Sequence, residues 1–140
     1  MPSASVWFIR SALLYLLAGY SIGALLLTAK GVGVPAPLVV WRWLPVHFEL
    51  LLVGWLVQLV MGVAYWIFPR FGMTPQARGR EGLAWLALAL LNGGLWLDCF
   101  GSLRQESFFS VAGRVAEVLS AACLAVTIWA RTRASGISPM

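Results

Sequence analysis

The chain has 140 residues, of which 61% are hydrophobic and 11% are charged, and its formal net charge is +5. A soluble domain usually carries about twice that share of charged residues, so the composition argues against a soluble domain and favours one embedded in lipid. Because the Lys and Arg residues lie mainly near the ends of apolar runs, the positive charge predicts no nucleic-acid partner.

Four long apolar runs account for most of the chain, at residues 6–29, 46–68, 82–101 and 108–130. Each has about 20 residues or more, which is enough to cross a bilayer as a helix. We therefore expect residues 1–140 to form a single all-α domain, an integral membrane bundle of four transmembrane helices with short loops. We expect the first run to be retained, since "LLTAKG" is a poor signal-peptide cleavage site.

The connections follow in chain order. Helix one ends before the Gly- and Pro-rich stretch "AKGVGVPAP", and "WRW" then suits the membrane interface. Helix two ends at Pro69, and a second connection, "RFGMTPQARGREG", leads to helix three. Gly93 and Gly94 permit a close approach or a bend there. Cys99 and Cys123 lie inside helices without a spacing motif, which predicts packing roles.

The basic residues favour one orientation. With the N-terminus in the cytoplasm, six arginines lie on the cytoplasmic side and only three or four basic residues lie on the outer side. The cytoplasmic set is Arg10, Arg70, Arg78, Arg80, Arg131 and Arg133, and the outer set is Lys30, Arg42 and Arg104, with Arg114 deeper. We expect both termini to be cytoplasmic, so that helix two runs from outside to inside.

Ionisable residues gather at one level, near the outer ends of helices two, three and four. They are His47, Glu49, Asp98, Arg114 and Glu117. Ionisable groups in membrane helices usually face the bundle interior. Arg114 and Glu117 are three residues apart and are expected to form an ion pair. One interpretation is an interfacial polar layer with this single structural pair.

The face of helix two below His47 admits two interpretations. Leu51, Gly54, Gln58 and Gly62 follow the histidine at helical spacing. Glycines on this face would let another helix come close, with His47 hydrogen-bonded at the interface. Alternatively, a haem plane would lie against the glycines with a His47 nitrogen on the iron.

The stretch "HFELLLVGWLVQLVMGVAYWIFPR" resembles the second transmembrane helix of subunit I of haem–copper oxidases, most closely the C-type oxidases and nitric oxide reductases. The matching residues are His47, Gly54-Trp55, Gly62, Tyr65 and Pro69-Arg70. The resemblance implies that His47 is an axial ligand of a low-spin haem near the outer surface of a prokaryotic cytoplasmic (inner) membrane. The chain resembles only the first four helices of such a subunit. It has one histidine, so it cannot form an oxygen-reducing centre alone.

From this resemblance we expect a b-type haem-binding electron-transfer or accessory subunit of a respiratory redox system. The second iron ligand would come from another chain, in a homodimer or a larger membrane redox complex. A quinone is a further expected partner. Gly54 would face the haem, and Arg42, Arg104 and Arg114 would be candidates to bind its propionates.

Two alternatives remain open at this point. One is a haem-free structural or assembly subunit in which His47 only makes a hydrogen bond. The other is a small transporter, although near the membrane midplane the chain offers little beyond Gln58 and Asn92. These two side chains are expected to hydrogen-bond to each other.

Overall fold

The computed structural model describes residues 1–31, 38–68 and 81–132. Every regular element in these ranges is a helix. The helices are α1 (Ser3–Gly31), α2 (Leu38–Trp41), α3 (Trp43–Ile67), α4 (Glu81–Arg104) and α5 (Ser107–Thr132). Predictions for Pro69, Arg70, Arg78, Arg80 and Arg133 lie outside the described residues.

Four of the helices, α1, α3, α4 and α5, are long and apolar enough to cross a membrane. The predicted all-α bundle with four membrane-length helices is therefore confirmed. The helices extend slightly beyond the predicted runs at nearly every end. Large apolar side chains cover the outer surface, with Leu27 71% exposed and Phe108 77% exposed. A bilayer accommodates such side chains without the free-energy cost that water would impose.

Helices α1 and α3 pack antiparallel through the predicted glycine face. The Ser5 hydroxyl donates to the Gly62 carbonyl, and the Gln58 amide donates to the Phe8 carbonyl at 3.4 Å. A Cβ at Gly62 would lie 2.7 Å from the Phe8 side chain, so the absence of a side chain is what allows this approach.

The predicted hydrogen bond between Gln58 and Asn92 is wrong. Gln58 faces α1, and the Asn92 side chain instead accepts from the Tyr15 hydroxyl at 2.6 Å and donates to the Leu88 carbonyl at 2.8 Å. Gln58 and Asn92 were expected to pair because both lie near the membrane midplane. A shared depth does not determine which neighbouring helix each side chain contacts.

Helices α4 and α5 form the closest pair. A Cβ at Gly94 would lie 2.7 Å from the Gly113 carbonyl oxygen, and one at Gly113 would lie 2.6 Å from that of Gly94. Further along, the Ser120 hydroxyl donates to the Ala87 carbonyl at 2.6 Å. The close approach predicted at Gly94 is confirmed, whereas a Cβ at Gly93 would meet none of the described atoms within 4 Å.

The buried apolar residues form two clusters, one toward each end of the bundle. The first contains Ala4, Phe8, Met61, Tyr65, Ala84, Ala87, Leu91 and Leu124, with Cys123 packed against it. The second contains Tyr15, Val46, Leu50, Leu95 and Cys99. Both cysteines are free and help fill these clusters, which confirms their predicted packing roles.

A π-helical stretch, Leu50–Val57, interrupts α3 directly after Glu49. Such stretches insert an extra residue into a turn and recur at functional sites. No residue pattern in the sequence predicts this stretch. It lies just below the two polar residues that open the helix.

Candidate functional site

The His47 ring is fixed by a backbone carbonyl of the neighbouring helix. Its Nδ1 lies 2.8 Å from the Gly19 oxygen on α1. A carbonyl oxygen only accepts hydrogen bonds, so Nδ1 must carry the proton. In the neutral ring, Nε2 then keeps its lone pair, and that atom is the one available to a metal or an external donor.

Two glycines of α1 make room for this contact. A Cβ at Gly23 would lie 2.5 Å from His47 Cε1, and a Cβ at Gly19 would lie 2.6 Å from the Leu51 side chain. The two glycines are four residues apart and therefore share one helix face. Sequence reasoning missed them, although the stretch "GYSIG" carries the small-residue spacing that could have identified the surface opposite His47.

His47 lines a cleft between α1 and the opening of α3. The cleft has a volume of about 570 Å³, within the range of roughly 300–1,000 Å³ typical of small-molecule sites. Its walls are mostly apolar and include Trp41 and Phe48, and the polar residues His47, Lys30 and Tyr20 also line it. The cleft is therefore an apolar volume beside one oriented imidazole.

Gly54 does not line the His47 cleft. A Cβ at this position would come within 2.8 Å of Leu95 and 2.9 Å of Tyr15, so neighbouring helices already fill the space in front of it. The haem plane expected against Gly54 stays a prediction, and the described residues leave no open space at that position. The open volume next to His47 lies at Gly23 instead.

The predicted cations occupy three different environments. Arg42 is exposed at the start of α3, and Arg104 lies over the Phe100 ring at 5.4 Å from its centroid. Arg114 is engaged by carboxylates. Lys30, which was not predicted as a ligand-binding residue, is the cation that lines the His47 cleft.

Arg114 lies at the centre of a second polar site. Its Nη2 is 2.7 Å from Glu49 Oε2 and 3.0 Å from Asp98 Oδ2, while its Nη1 is 3.4 Å from Glu117 Oε2. The predicted pair with Glu117 exists, but it is the longest of these three contacts. The gathering of polar groups at one level is thus real for these four residues, whereas His47 turns toward α1.

The carboxyl side chains of the cluster are buried, whereas the arginine side chain is half-exposed. The side chains of Glu49 and Asp98 are each 5% exposed and that of Glu117 is 10% exposed, whereas that of Arg114 is 54% exposed. The carboxylates come from α3, α4 and α5, so the arginine links three helices through charge-assisted hydrogen bonds.

Within the described ranges, no group of three or more His, Cys, Asp and Glu side chains is arranged to hold a metal ion. Comparisons with protein-family models, with curated proteins and with solved structures found no match to this chain. The resemblance to haem–copper oxidases therefore stays a prediction that rests on residues 47–70.

Proposed function

We propose that the chain is a b-type haem-binding membrane subunit for electron transfer, or an accessory subunit of a respiratory redox system, with His47 Nε2 as an axial iron ligand. The observation that carries this proposal is the hydrogen bond from His47 Nδ1 to the Gly19 carbonyl oxygen at 2.8 Å. It directs the lone pair to Nε2 on a ring that lines an apolar cleft.

The contact between His47 Nδ1 and the Gly19 carbonyl oxygen supports a ligand role for physical reasons. Metal-binding histidines almost always donate their other ring N–H to a carbonyl or carboxylate oxygen, which fixes the tautomer and the ring plane. In this chain the Gly19 carbonyl has that role, and Gly23 keeps the ring close to α1. When bound, haem would supply one-electron chemistry, while these residues hold and orient it.

The remaining groups of the cleft fit an amphipathic, flat ligand. Apolar walls suit a macrocycle, and the Lys30 ammonium suits an anionic propionate. Arg42 is a second candidate because it is exposed near the opening of the same helix. Arg114 is not favoured as a propionate-binding residue, since three carboxylates already surround it.

A second axial ligand would come from another chain. His47 is the sole histidine in the sequence. Met61 on the same helix is fourteen residues away, which is roughly 21 Å along the axis. A homodimer would supply a second His47, and a larger membrane redox complex would supply a ligand of its own. A quinone is the electron partner expected for a subunit of this kind.

An optical spectrum of the full chain, purified from haem-replete cells, tests the proposal. We expect a b-type band in the reduced-minus-oxidised spectrum of the wild type. His47→Ala and His47→Gln should lose it, and Gly93→Ala, which alters an exposed position in α4, should retain it. A colourless wild-type protein, or an unchanged spectrum in both His47 variants, would contradict the proposal.

A haem-free structural or assembly subunit is the second candidate. It is favoured by the close packing in front of Gly54 and Gly62, where Tyr15 and Phe8 occupy the space. Under this alternative the His47 hydrogen bond only joins α1 to α3. The purified wild type would then be colourless, and His47→Ala would lower its stability without any spectral change.

A further inference from the structure

The Arg114 cluster is unbalanced in charge. One guanidinium faces three carboxyl groups, so the cluster would carry a charge of 1 − 3 = −2 if all of them were ionised. The three carboxyl side chains are at least nine-tenths buried. Charge that is buried without a partner is costly in a protein, and more so at membrane depth. A bound proton is the simplest way to reduce the imbalance.

Two carboxyl oxygens of the cluster point to where such a proton would lie. Glu49 Oε1 and Glu117 Oε1 are buried, and neither has a hydrogen-bond partner among the described residues. The two carboxyl groups also bind the same guanidinium, Glu49 through Nη2 and Glu117 through Nη1. Carboxylate oxygens only accept hydrogen bonds, so two ionised groups could not satisfy one another, whereas a protonated group could donate to its neighbour.

We propose that the cluster is a proton-binding site in which Glu117 is a carboxylic acid and donates its hydrogen bond to Glu49. Glu49 and Asp98 remain as carboxylates on Arg114 Nη2, at 2.7 and 3.0 Å. Glu117 is assigned the proton because its contact with the guanidinium, at 3.4 Å, is the longest. A hydronium ion gives its proton to Glu117 Oε1: its O–H bond breaks, the new O–H bond forms on the carboxyl group, and water is left.

The groups around Glu117 come from several helices. Besides the cluster itself, α4 contributes the Cys99 thiol, and α1 contributes Tyr15 next to that thiol. The Arg114 side chain is half-exposed, in contrast to the carboxyl groups that it binds. This site does not depend on haem binding, because no group of the His47 cleft takes part in it.

Infrared spectroscopy of the purified full chain tests the protonation directly. At neutral pH we expect a carboxylic-acid C=O stretching band in the wild type that shifts in D₂O. Glu117→Gln should remove this band. Glu106→Gln should leave it unchanged, since Glu106 is an exposed carboxyl between α4 and α5 and serves as a matched control. Absence of the band in the wild type, or its persistence in Glu117→Gln, would overturn the proposal.

Thermal unfolding keeps the test informative if a variant folds poorly. Glu117→Gln preserves a hydrogen-bond donor toward Glu49 and should unfold close to the wild-type temperature, whereas Glu49→Gln removes the shortest partner of Arg114 and should unfold lower. The same melts in sodium and in choline buffers should coincide. The opposite result would be a gain in stability that depends on sodium, together with loss of the C=O band. It would show that the site binds a cation and would overturn the proposal of a bound proton.

Discussion

Arg114 Nη2 and Glu49 Oε2 lie 2.7 Å apart, which joins the first third of α5 to the opening of α3. The contact links residues that are distant in the sequence. Asp98 on α4 binds the same nitrogen at 3.0 Å, so one guanidinium holds three helices together. This end of the bundle is therefore organised around a single positive charge.

Arg114→Met should be strongly destabilising, because it leaves three buried carboxyl groups without their cation. Breaking a buried pair costs about 3–5 kcal/mol, and since the guanidinium is half-exposed we expect about 3 kcal/mol. The free energy of unfolding in detergent measures this loss. A loss below about 1 kcal/mol would be typical of a surface pair and would contradict the role of Arg114 as an organising charge.

The cluster also changes the result expected when Arg114 and Glu117 are both replaced by apolar residues. If Arg114 and Glu117 were a self-contained pair, replacing both by apolar residues would be better tolerated than replacing one. With Glu49 and Asp98 on the same arginine, we expect Arg114→Met with Glu117→Leu to unfold more easily than Glu117→Leu alone. A double variant that unfolds less easily than Glu117→Leu alone would instead support a self-contained pair of Arg114 and Glu117.

The spacing of the sequence could predict only part of this cluster. Residues three apart on a helix share a face, so the contact between Arg114 and Glu117 was predictable. The depth of Glu49 and Asp98 followed from the lengths of the apolar runs. Their side-chain directions depend on how α3 and α4 pack, and the π-helical stretch after Glu49 changes the helical phase locally.

Gly113→Ala should separate α4 from α5. The added Cβ would lie 2.6 Å from the Gly94 oxygen and 2.7 Å from the Asp98 nitrogen, and backbone atoms cannot easily move away. Overpacking of this kind costs about 1–3 kcal/mol, measurable as a lower free energy of unfolding. Gly93→Ala is the matched control because its Cβ would meet none of the described atoms within 4 Å. Equal stability of the two variants would contradict the close packing.

Gly23→Ala should displace the His47 ring, since the new Cβ would lie 2.5 Å from Cε1. We expect haem content per chain to fall by at least about tenfold, which corresponds to about 1.4 kcal/mol of binding free energy. Gly31→Ala, in the same helix and with none of the described atoms near its Cβ, should keep wild-type haem content. Haem content that is equal in both variants would exclude the cleft beside Gly23.

The His47 site shows what a residue pattern on a single helix can and cannot predict. The stripe from His47 through Gly54 to Gly62 does share one direction, toward α1. Its periodicity could not distinguish a face that receives a ligand from one that receives another helix. Gly19 and Gly23 allow the imidazole to lie against α1, and open volume remains beside the ring.

The predicted orientation is tested by cysteine labelling in intact cells. A cysteine introduced at Ala77, which lies outside the described residues, should react only after the cytoplasmic side is opened. Glu106→Cys, in the connection between α4 and α5, should react from outside. Because Cys99 is buried and Cys123 is partly buried, the unmodified chain provides the background. The reverse labelling pattern would overturn the orientation.

Haem quantified per chain, in the wild type beside His47→Ala, tests the central claim most directly. With one histidine per chain, bis-histidine ligation predicts one haem for two chains in a homodimer; ligation by a partner subunit predicts one haem per complex. His47→Ala should contain none in either case. Haem retained by His47→Ala at the wild-type stoichiometry and with the wild-type spectrum would contradict the assignment of His47 as the ligand.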